Sequence, residues 1–468
     1  VQRRSLIAVG AVLIAGLGAA AATTLDDDRR PNAVPSPARS PAGPLRPVTP
    51  AQPATFTKPA KAADFNGDGY GDLVVSGRTD VKDPKKKLSL IDVVYGSPQG
   101  PAPGRRQSFG PSTPGLPAGT YGVSTTDAAD FDRDGYADLV VHTLEACNTS
   151  SLVIFYGSAT GLGGRTVLLQ HSDARSFDGL AVGDFDGKGG KDLVVTGRGD
   201  CWVYRDVTTE PVTPVQVPVT GRVGAEITRN GIGPGEVAAA RRSITADVNG
   251  DGRSDLVLIV ATPAADGEEG EDFWNAELRL GTADGLSTKA VGFGNDKVLD
   301  DIGAPVAGDV NGDGKTDVIT AAPGTGTYAA FLGTAHGLGP AKQITFPARD
   351  GVRRLTIGDT DGDGDADLTA IGLPTLITAL SGGEHGLDPV AARRIDRAAP
   401  SVPVPPGTDL RAFGANASLT DLNGDGKDDL SVETAHYGEG QGHVLVFPGS
   451  DSGLTLQGAT SFSKADLN

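Results

Sequence analysis

Between residues 61 and 468 the chain alternates, seven times over, between a nine-residue acidic stretch rich in glycine and short apolar runs. An apolar run follows each of the first four acidic stretches directly: Leu73-Val74-Val75, Leu139-Val140-Val141, Leu193-Val194-Val195 and Leu256-Val257-Leu258-Ile259-Val260. A second apolar run then ends in a small-residue turn, as in 93–100 (VVYGSPQG), 153–162 (VIFYGSATGL), 278–286, 329–338, 378–387 and 444–454. The third copy of that turn is degenerate, reading CWVYRD over 201–206. Runs of this length bounded by Gly, Asn and Asp predict strands. One unit reads strand, acidic turn, strand, turn, strand, glycine turn, strand. The unit recurs at intervals from 50 residues (Asp309 to Asp359) to 66 (Asp64 to Asp130), the spacing of propeller blades carrying loop insertions. Four-stranded antiparallel units set radially bury one another's faces and leave only short edges. The predicted fold class is therefore all-β, a seven-bladed β-propeller with an acidic loop in a hairpin of each blade.

Composition agrees. Gly (67) and Pro (32) are abundant and aromatics make up only 5%, which suits many short strands and excludes a coiled coil or a helical membrane bundle. Acidic residues outnumber basic ones 59 to 41, a formal charge of −18. That balance excludes nucleic acid and an anionic membrane surface as partners, since phosphates require a basic face. Metal cations, neutral sugars and basic proteins stay open. At the N-terminus Arg3 and Arg4 precede the apolar run Leu6–Gly18 and the small residues Ala19–Ala22, so 1–22 is expected to be a secretory signal peptide. An uncleaved anchor is the alternative, Leu6–Ala22 being at the short limit for a membrane span. Residues 23–60 are dominated by Pro, Ala, Ser and Thr and are expected to be an extended linker to the propeller at 61–468. The mature form is expected to have no membrane span, to be monomeric, and to be secreted or held at the cell envelope.

The acidic stretches carry the chemistry. Positions 1, 3, 5 and 9 are Asp64, Asn66, Asp68 and Asp72 in the first copy, and Asp130, Asp132, Asp134 and Asp138 in the second. They are Asp247, Asn249, Asp251 and Asp255 in the fourth, and Asp309, Asn311, Asp313 and Asp317 in the fifth. They are Asp359, Asp361, Asp363 and Asp367 in the sixth, and Asp421, Asn423, Asp425 and Asp429 in the seventh. Position 6 is always Gly, which allows a tight turn at positive φ. Hard oxygen ligands at this density suit Ca2+ better than Mg2+, which keeps more of its water. Position 12, a bidentate Glu in an EF-hand, is here Val75, Val141, Val195, Leu258, Thr320, Ala370 and Val432, so the loop belongs to a β-hairpin rather than between helices. The third copy, Asp184, Asp186, Lys188 and Asp192, has lost its position 5 carboxylate. The Lys188 ammonium is expected to take the cation's place among the three aspartates. About six Ca2+ sites are expected, with the third loop doubtful.

These loops, with the Ala321-Ala-Pro-Gly324 stretch and the Tyr-Gly-Ser…Gly-Leu turns, resemble FG-GAP repeats, also called VCBS or integrin-alpha-like propeller repeats. The resemblance covers about 61–468. It implies that the position 1, 3, 5 and 9 residues are calcium ligands, Lys188 excepted, and that the loops join the first and second strands of each blade. It also implies recognition of carbohydrate or protein at the opposite face, with adhesion as the broad role. The last repeat supplies its own outer strand near Gly458–Ser463, so closure of the ring by a swapped N-terminal strand is not required.

Weaker signals complete the reading. Cys147 and Cys201 each lie nine residues beyond a position 9 Asp, and an even count in a secreted chain favours a Cys147–Cys201 disulfide over two separate thiols. Arg198-Gly199-Asp200 is read as a chance triplet. His336 and His385 are read as turn residues, and Trp274 as a rim or core aromatic ahead of a sugar platform. The inserts 101–120, 205–240 and 262–275 are expected in exposed loops where specificity resides. No nucleophile elbow, Walker loop or histidine metal spacing appears, so no enzyme is expected. A polysaccharide-acting propeller enzyme and a structural envelope scaffold are the alternatives.

Overall fold

The computed structural model describes residues 63–76, 90–145, 150–163, 166–169, 179–197, 200–208, 212–217, 239–262, 273–294, 305–322, 327–345, 352–372, 375–396, 401–403, 413–434 and 442–463, with Ala399 and Leu467. The expected leader 1–22 and linker 23–60 lie outside them.

The strands form seven antiparallel blades in chain order. Blade 1 holds Leu73–Ser76, Ile91–Val94 and Arg106–Phe109, three strands among the described residues. Blade 2 holds Thr120–Ala129, Asp138–Glu145, Ser150–Phe155 and Thr166–Leu169. Blade 3 holds Gly179–Gly183, Asp192–Gly197, Asp200–Tyr204 and Val215–Val217. Blade 4 holds Ala239–Ala246, Asp255–Thr262, Phe273–Arg279 and Val291–Phe293, with a small hairpin at Gly281–Thr282 and Gly285–Leu286. Blade 5 holds Val306–Gly308, Asp317–Ala322, Thr327–Thr334 and Gly337–Thr345. Blade 6 holds Val352–Gly358, Asp367–Gly372, Thr375–Leu380 and Arg393–Asp396. Blade 7 holds Phe413–Thr420, Asp429–Thr434, His443–Phe447 and Thr460–Ser463. The last strand pairs with His443–Phe447 as the outer strand expected of the final repeat. Among the described residues no helix is long and apolar enough to cross a membrane.

The unbroken apolar runs have a direct cause. Each second strand is covered on both faces, so side chains pointing either way must be apolar. Leu256, Leu258 and Val260 pack toward blade 3, while Val257 and Ile259 pack toward blade 5. Every interface between blades is in this way a hydrophobic core, with Phe65, Phe109 and Phe155 between blades 1 and 2 and Tyr328, Leu368 and Leu380 between blades 5 and 6. Leu73, Val75 and Val94 of blade 1 pack on Leu422, Val444 and Val446 of blade 7, which closes the ring by side-chain burial. The first strands of blades 2 to 7 run beside one another in sequence, blade 2 on 3 through to 6 on 7.

All three expected inserts carry strand residues, Phe273–Arg279 beginning within 262–275. Arg106–Phe109 lies inside 101–120, and Val215–Val217 inside 205–240, each pairing as the outer strand of its blade. Arg106–Phe109 is mostly polar and Val215–Val217 only three residues long, and an outer strand has a partner on one edge only. Cys201 is buried between blades 3 and 4, whereas Cys147 lies outside the described residues, as do Arg198 and Gly199.

A glycine ends the third strand of most blades and sits where two blades meet. A Cβ on Gly333 would stand 2.7 Å from the Val248 carbonyl oxygen of blade 4 and 2.8 Å from that of Thr316. Backbone oxygens cannot step aside as a flexible side chain can. Gly333→Ala is therefore expected to cost about 1–3 kcal/mol. Gly104→Ala, with nothing within 4 Å of its would-be Cβ, is expected to stay within about 0.5 kcal/mol of wild type. Urea denaturation of the two variants checks this, and equal effects would sink the steric account.

Candidate functional site

Each acidic loop leads into the strand that follows it, joining the first and second strands in blades 2 to 7, and folds around its position 1 carboxylate. In blade 1, Asp64 Oδ1 accepts from the N–H of Gly67 (2.7 Å) and of Asp68 (3.2 Å), and Oδ2 accepts from Gly69 (2.9 Å). Position 3 then accepts from the N–H of position 5, as Asn66 does from Asp68 at 2.9 Å. Position 5 accepts from the N–H of position 7, as Asp251 does from Arg253 at 3.0 Å. Local side-chain acceptors thus hold a backbone with no helical or sheet partners. Glycine at position 6 has φ from 81° (Gly252) to 97° (Gly364), as its sequence predicts. Position 4 needs the same freedom: it is Gly in six loops, from 66° (Gly312) to 78° (Gly362), and Arg133 at 61° in blade 2. Sequence reasoning passed over position 4, although its recurrent glycine was visible.

The position 9 aspartates do more than face the loop. In all seven blades one oxygen accepts from the N–H of position 2, as Asp138 does from Phe131 at 2.7 Å and Asp317 from Val310 at 3.0 Å. The other accepts from the end of the third strand: Gly96, Gly157, Asp206, Gly281, Gly333, Gly382 and Gly449, at 2.7–3.0 Å. The carboxylate clamps the loop to the blade's third strand. The position 12 residues that replace an EF-hand Glu are all buried in the cores beneath.

Burial sets the electrostatics. Desolvation pushes the Asp138 carboxyl up to about 8 and that of Asp72 to about 7, against the pull of two backbone N–H donors each. Asp255, Asp317 and Asp429 rise to about 6 for the same cause, and neighbouring loop carboxylates add to it. Asp361 also rises to about 6, through desolvation first and then through Asp367 and Asp363. Negative charge is concentrated here, and a cation would relieve it.

The structure brings three carboxylates together in two blades. Oxygens of Asp130, Asp132 and Asp138, and of Asp359, Asp361 and Asp367, lie within 4.8 Å of one another. Both loops have Asp rather than Asn at position 3, as does the third loop, where Asp186 pairs with Lys188 instead. An all-oxygen donor set of this kind fits a hard divalent cation. Asp134 and Asp363 stand outside those two groups. In blades 1, 4 and 5 the position 5 carboxylate faces a side-chain cation instead: Asp68 with Arg105 (3.1 Å), Asp251 with Arg253 (2.9 Å) and Asp313 with Lys315 (3.3 Å). In blade 7, Asp425 accepts from the Asn423 amide at 3.3 Å. In blade 3 the Lys188 ammonium meets Asp186 at 2.7 Å and is 65% exposed. Asp184 is engaged by the N–H of Gly187 and Gly189, and Asp192 by those of Phe185 and Asp206. The expected central position of Lys188 among three aspartates is thus corrected: its ammonium pairs with Asp186 and lies largely exposed along the rim.

The loops also hold one another. The position 8 N–H donates to the position 1 carbonyl of the preceding loop: Gly71 to Asp421, Ala137 to Asp64, Ser254 to Asp184, Thr316 to Asp247, Ala366 to Asp309 and Asp428 to Asp359, all at 2.7–3.0 Å. The first of these links blade 1 to blade 7. A further set ties the glycine turns to the preceding loop, as Ser158 N–H does to the Phe65 carbonyl at 3.2 Å.

The clamp and the rim separate by substitution. Asp317→Ala strands two buried N–H groups and is expected to cost about 2–4 kcal/mol in chelator. Asp313→Ala, at a 39% exposed side chain, is expected to cost under about 1 kcal/mol there. Urea titrations in chelator that gave equal losses would count against the clamp.

Comparison with known proteins agrees with this geometry. A family model described as an FG-GAP-like repeat matches residues 247–320 and 309–370. Integrin alpha-PS5 of Drosophila melanogaster is 34% identical over 145 residues, which covers 27% of this chain and 14% of that protein. Among solved structures, the Dos1 propeller is similar at TM-score 0.43 and 11% identity, covering 84% of each chain. A putative 6-phosphogluconolactonase from Bacteroides uniformis is similar at TM-score 0.42 and 14% identity, covering 82% of this chain and 94% of that one. Likenesses this distant carry no weight for function. Residues 247–370 thus match FG-GAP-like repeats, and the seven-bladed topology with its repeated loops supports an integrin-alpha-like FG-GAP propeller.

Proposed function

We propose that the chain is a calcium-stabilised recognition module that works outside the cytoplasm, at or near the cell surface, and binds a carbohydrate or protein ligand without chemically transforming it. The observation that carries the calcium part is the recurrence of oxygen-only loops, two of which bring three carboxylates within 4.8 Å. The residues that would hold the ions are those at positions 1, 3, 5 and 9 of blades 1, 2, 4, 5, 6 and 7, about six sites in all. Bound Ca2+ would offset the repulsion among buried carboxylates and fix the loops that link the blades. The integrin-alpha relationship supports an extracellular setting and an adhesion-type role.

The ligand test is a glycan and cell-wall-polymer array probed with the full chain, with Ca2+ and with chelator. Calcium-dependent binding is the expected result. Turnover of an arrayed polysaccharide would replace this reading with an enzyme, and retention in the envelope without any soluble ligand would replace it with a scaffold.

Two outcomes test the metal directly. Asp313→Ala is expected to lower calcium stoichiometry by one in native mass spectrometry, and an unchanged count would remove blade 5 from the sites. The pH dependence has a defined sign. Asp72 and Asp138 have folded pKa values of about 7 and 8, above the ~3.9 of an unfolded Asp. A raised folded value gives stability that is present at low pH and lost as pH rises through that value. The chelated protein is therefore expected to melt lower at pH 8.5 than at pH 6, and the melting-temperature gain from calcium to widen over the same range. A gain independent of pH would count against metal at these carboxylates.

A further inference from the structure

The repeat pattern is broken at three places that meet in space, two in blade 3 and one in blade 2. Lys188 stands at position 5, and its ammonium lies 2.7 Å from Asp186. Asp206 stands where the other six blades have the clamp glycine; it has φ of 45°, and its N–H meets Asp192 at 2.9 Å. Arg133 stands at position 4 of the neighbouring blade 2 loop, where the other six loops have glycine, and holds φ of 61°. A non-glycine residue at positive φ is costly and persists only where its surroundings require it. The Arg133 guanidinium reaches Asp206 at 3.8 Å, across the boundary between blades 2 and 3. At that boundary the backbone link found at six others is missing, since no bond joins the Lys191 N–H to the Asp130 carbonyl. Gly190 lies between Arg133 and Asp206, and Arg205 covers Gly285 of blade 4 beside the same loop.

A divalent cation does not fit this loop. The oxygen that position 5 supplies elsewhere is replaced by a positive charge, and Asp186, the position 3 carboxylate, is already taken by it. We propose that the boundary between blades 2 and 3 is held by the fixed-charge pair Arg133–Asp206 where the other six have a backbone link, and that the blade 3 loop, its Lys188 paired with Asp186 within the loop, takes no metal. The metal count in this proposal rests on the calcium reading above; the charged joint does not. Chelation then loosens the metal-holding loops but leaves the loop of blade 3 as it was.

The test uses the full chain. Native mass spectrometry in Ca2+ is expected to give six ions for wild type and seven for Lys188→Asp. Seven ions in wild type, or six in Lys188→Asp, would overturn the proposal. Hydrogen exchange in chelator is expected to rise ~10-fold or more over 247–262 and 309–322 but under ~2-fold over 184–208. A uniform rise would overturn it. High salt reads the joint without reference to metal: exchange over 184–208 is expected to increase about threefold between 0.05 and 1 M salt, the size expected of exposed ion pairs. The double variant Arg133→Gly, Asp206→Gly is expected to abolish that salt response, and its persistence would overturn the joint. A wild-type count of zero with the salt response intact would instead defeat the calcium reading and leave the charged joint standing.

Discussion

A buried carboxylate with a backbone N–H on each oxygen is the interaction on which this propeller depends. It occurs once per blade, at Asp72, Asp138, Asp192, Asp255, Asp317, Asp367 and Asp429. One oxygen closes the acidic loop through position 2, and the other holds the end of the third strand. Removal of such a group from water is expensive unless its lone pairs are used, and here two charge-assisted bonds use them. Because the clamp fixes where each loop sits, the position 8 N–H of one blade can meet the position 1 carbonyl of the last. Local side-chain chemistry therefore becomes a ring of backbone bonds around one end of the molecule.

That arrangement concentrates negative charge. The chain carries −18 overall, and its most strongly perturbed carboxylates lie in these loops. The apolar interfaces between blades favour closure, with about 1.5–3 kcal/mol for each fully buried Val, Leu, Ile or Phe. Repulsion at the loop end opposes it. Cations reconcile the two, and the protein uses more than one kind. Arg105, Arg253 and Lys315 approach the rim carboxylates of blades 1, 4 and 5, while Lys188 is built into the loop of blade 3.

Blade 3 shows how such a repeat tolerates change. Lys188, Asp206 and Arg133 are individually departures from the pattern, and two of them occupy backbone conformations that favour glycine. In place they form ion pairs at the one loop boundary that lacks its backbone link. The core beneath is unaffected: Phe185, Leu193 and Val195 are as buried as their counterparts.

The fold was legible from periodicity. Seven acidic stretches at blade spacing, each followed by apolar runs, determine strand number, chain order and the position of the loops, because strands covered on both faces must be apolar throughout. The positive φ of position 6 and the oxygen donors at positions 1, 3, 5 and 9 were legible for the same local reason. What the sequence left unread depends on contacts between residues far apart in the chain. The outer strands Arg106–Phe109 and Val215–Val217 are specified by an edge to pair with rather than by their own pattern. The clamp role of position 9 and the need for glycine at Gly333 or Gly449 arise where a third strand crosses two loops, one from its own blade and one from the blade before. Lys188 read alone looked like a cation at the centre of its loop; only the folded chain, in which its ammonium meets Asp186 at the exposed rim, shows that it lies outside.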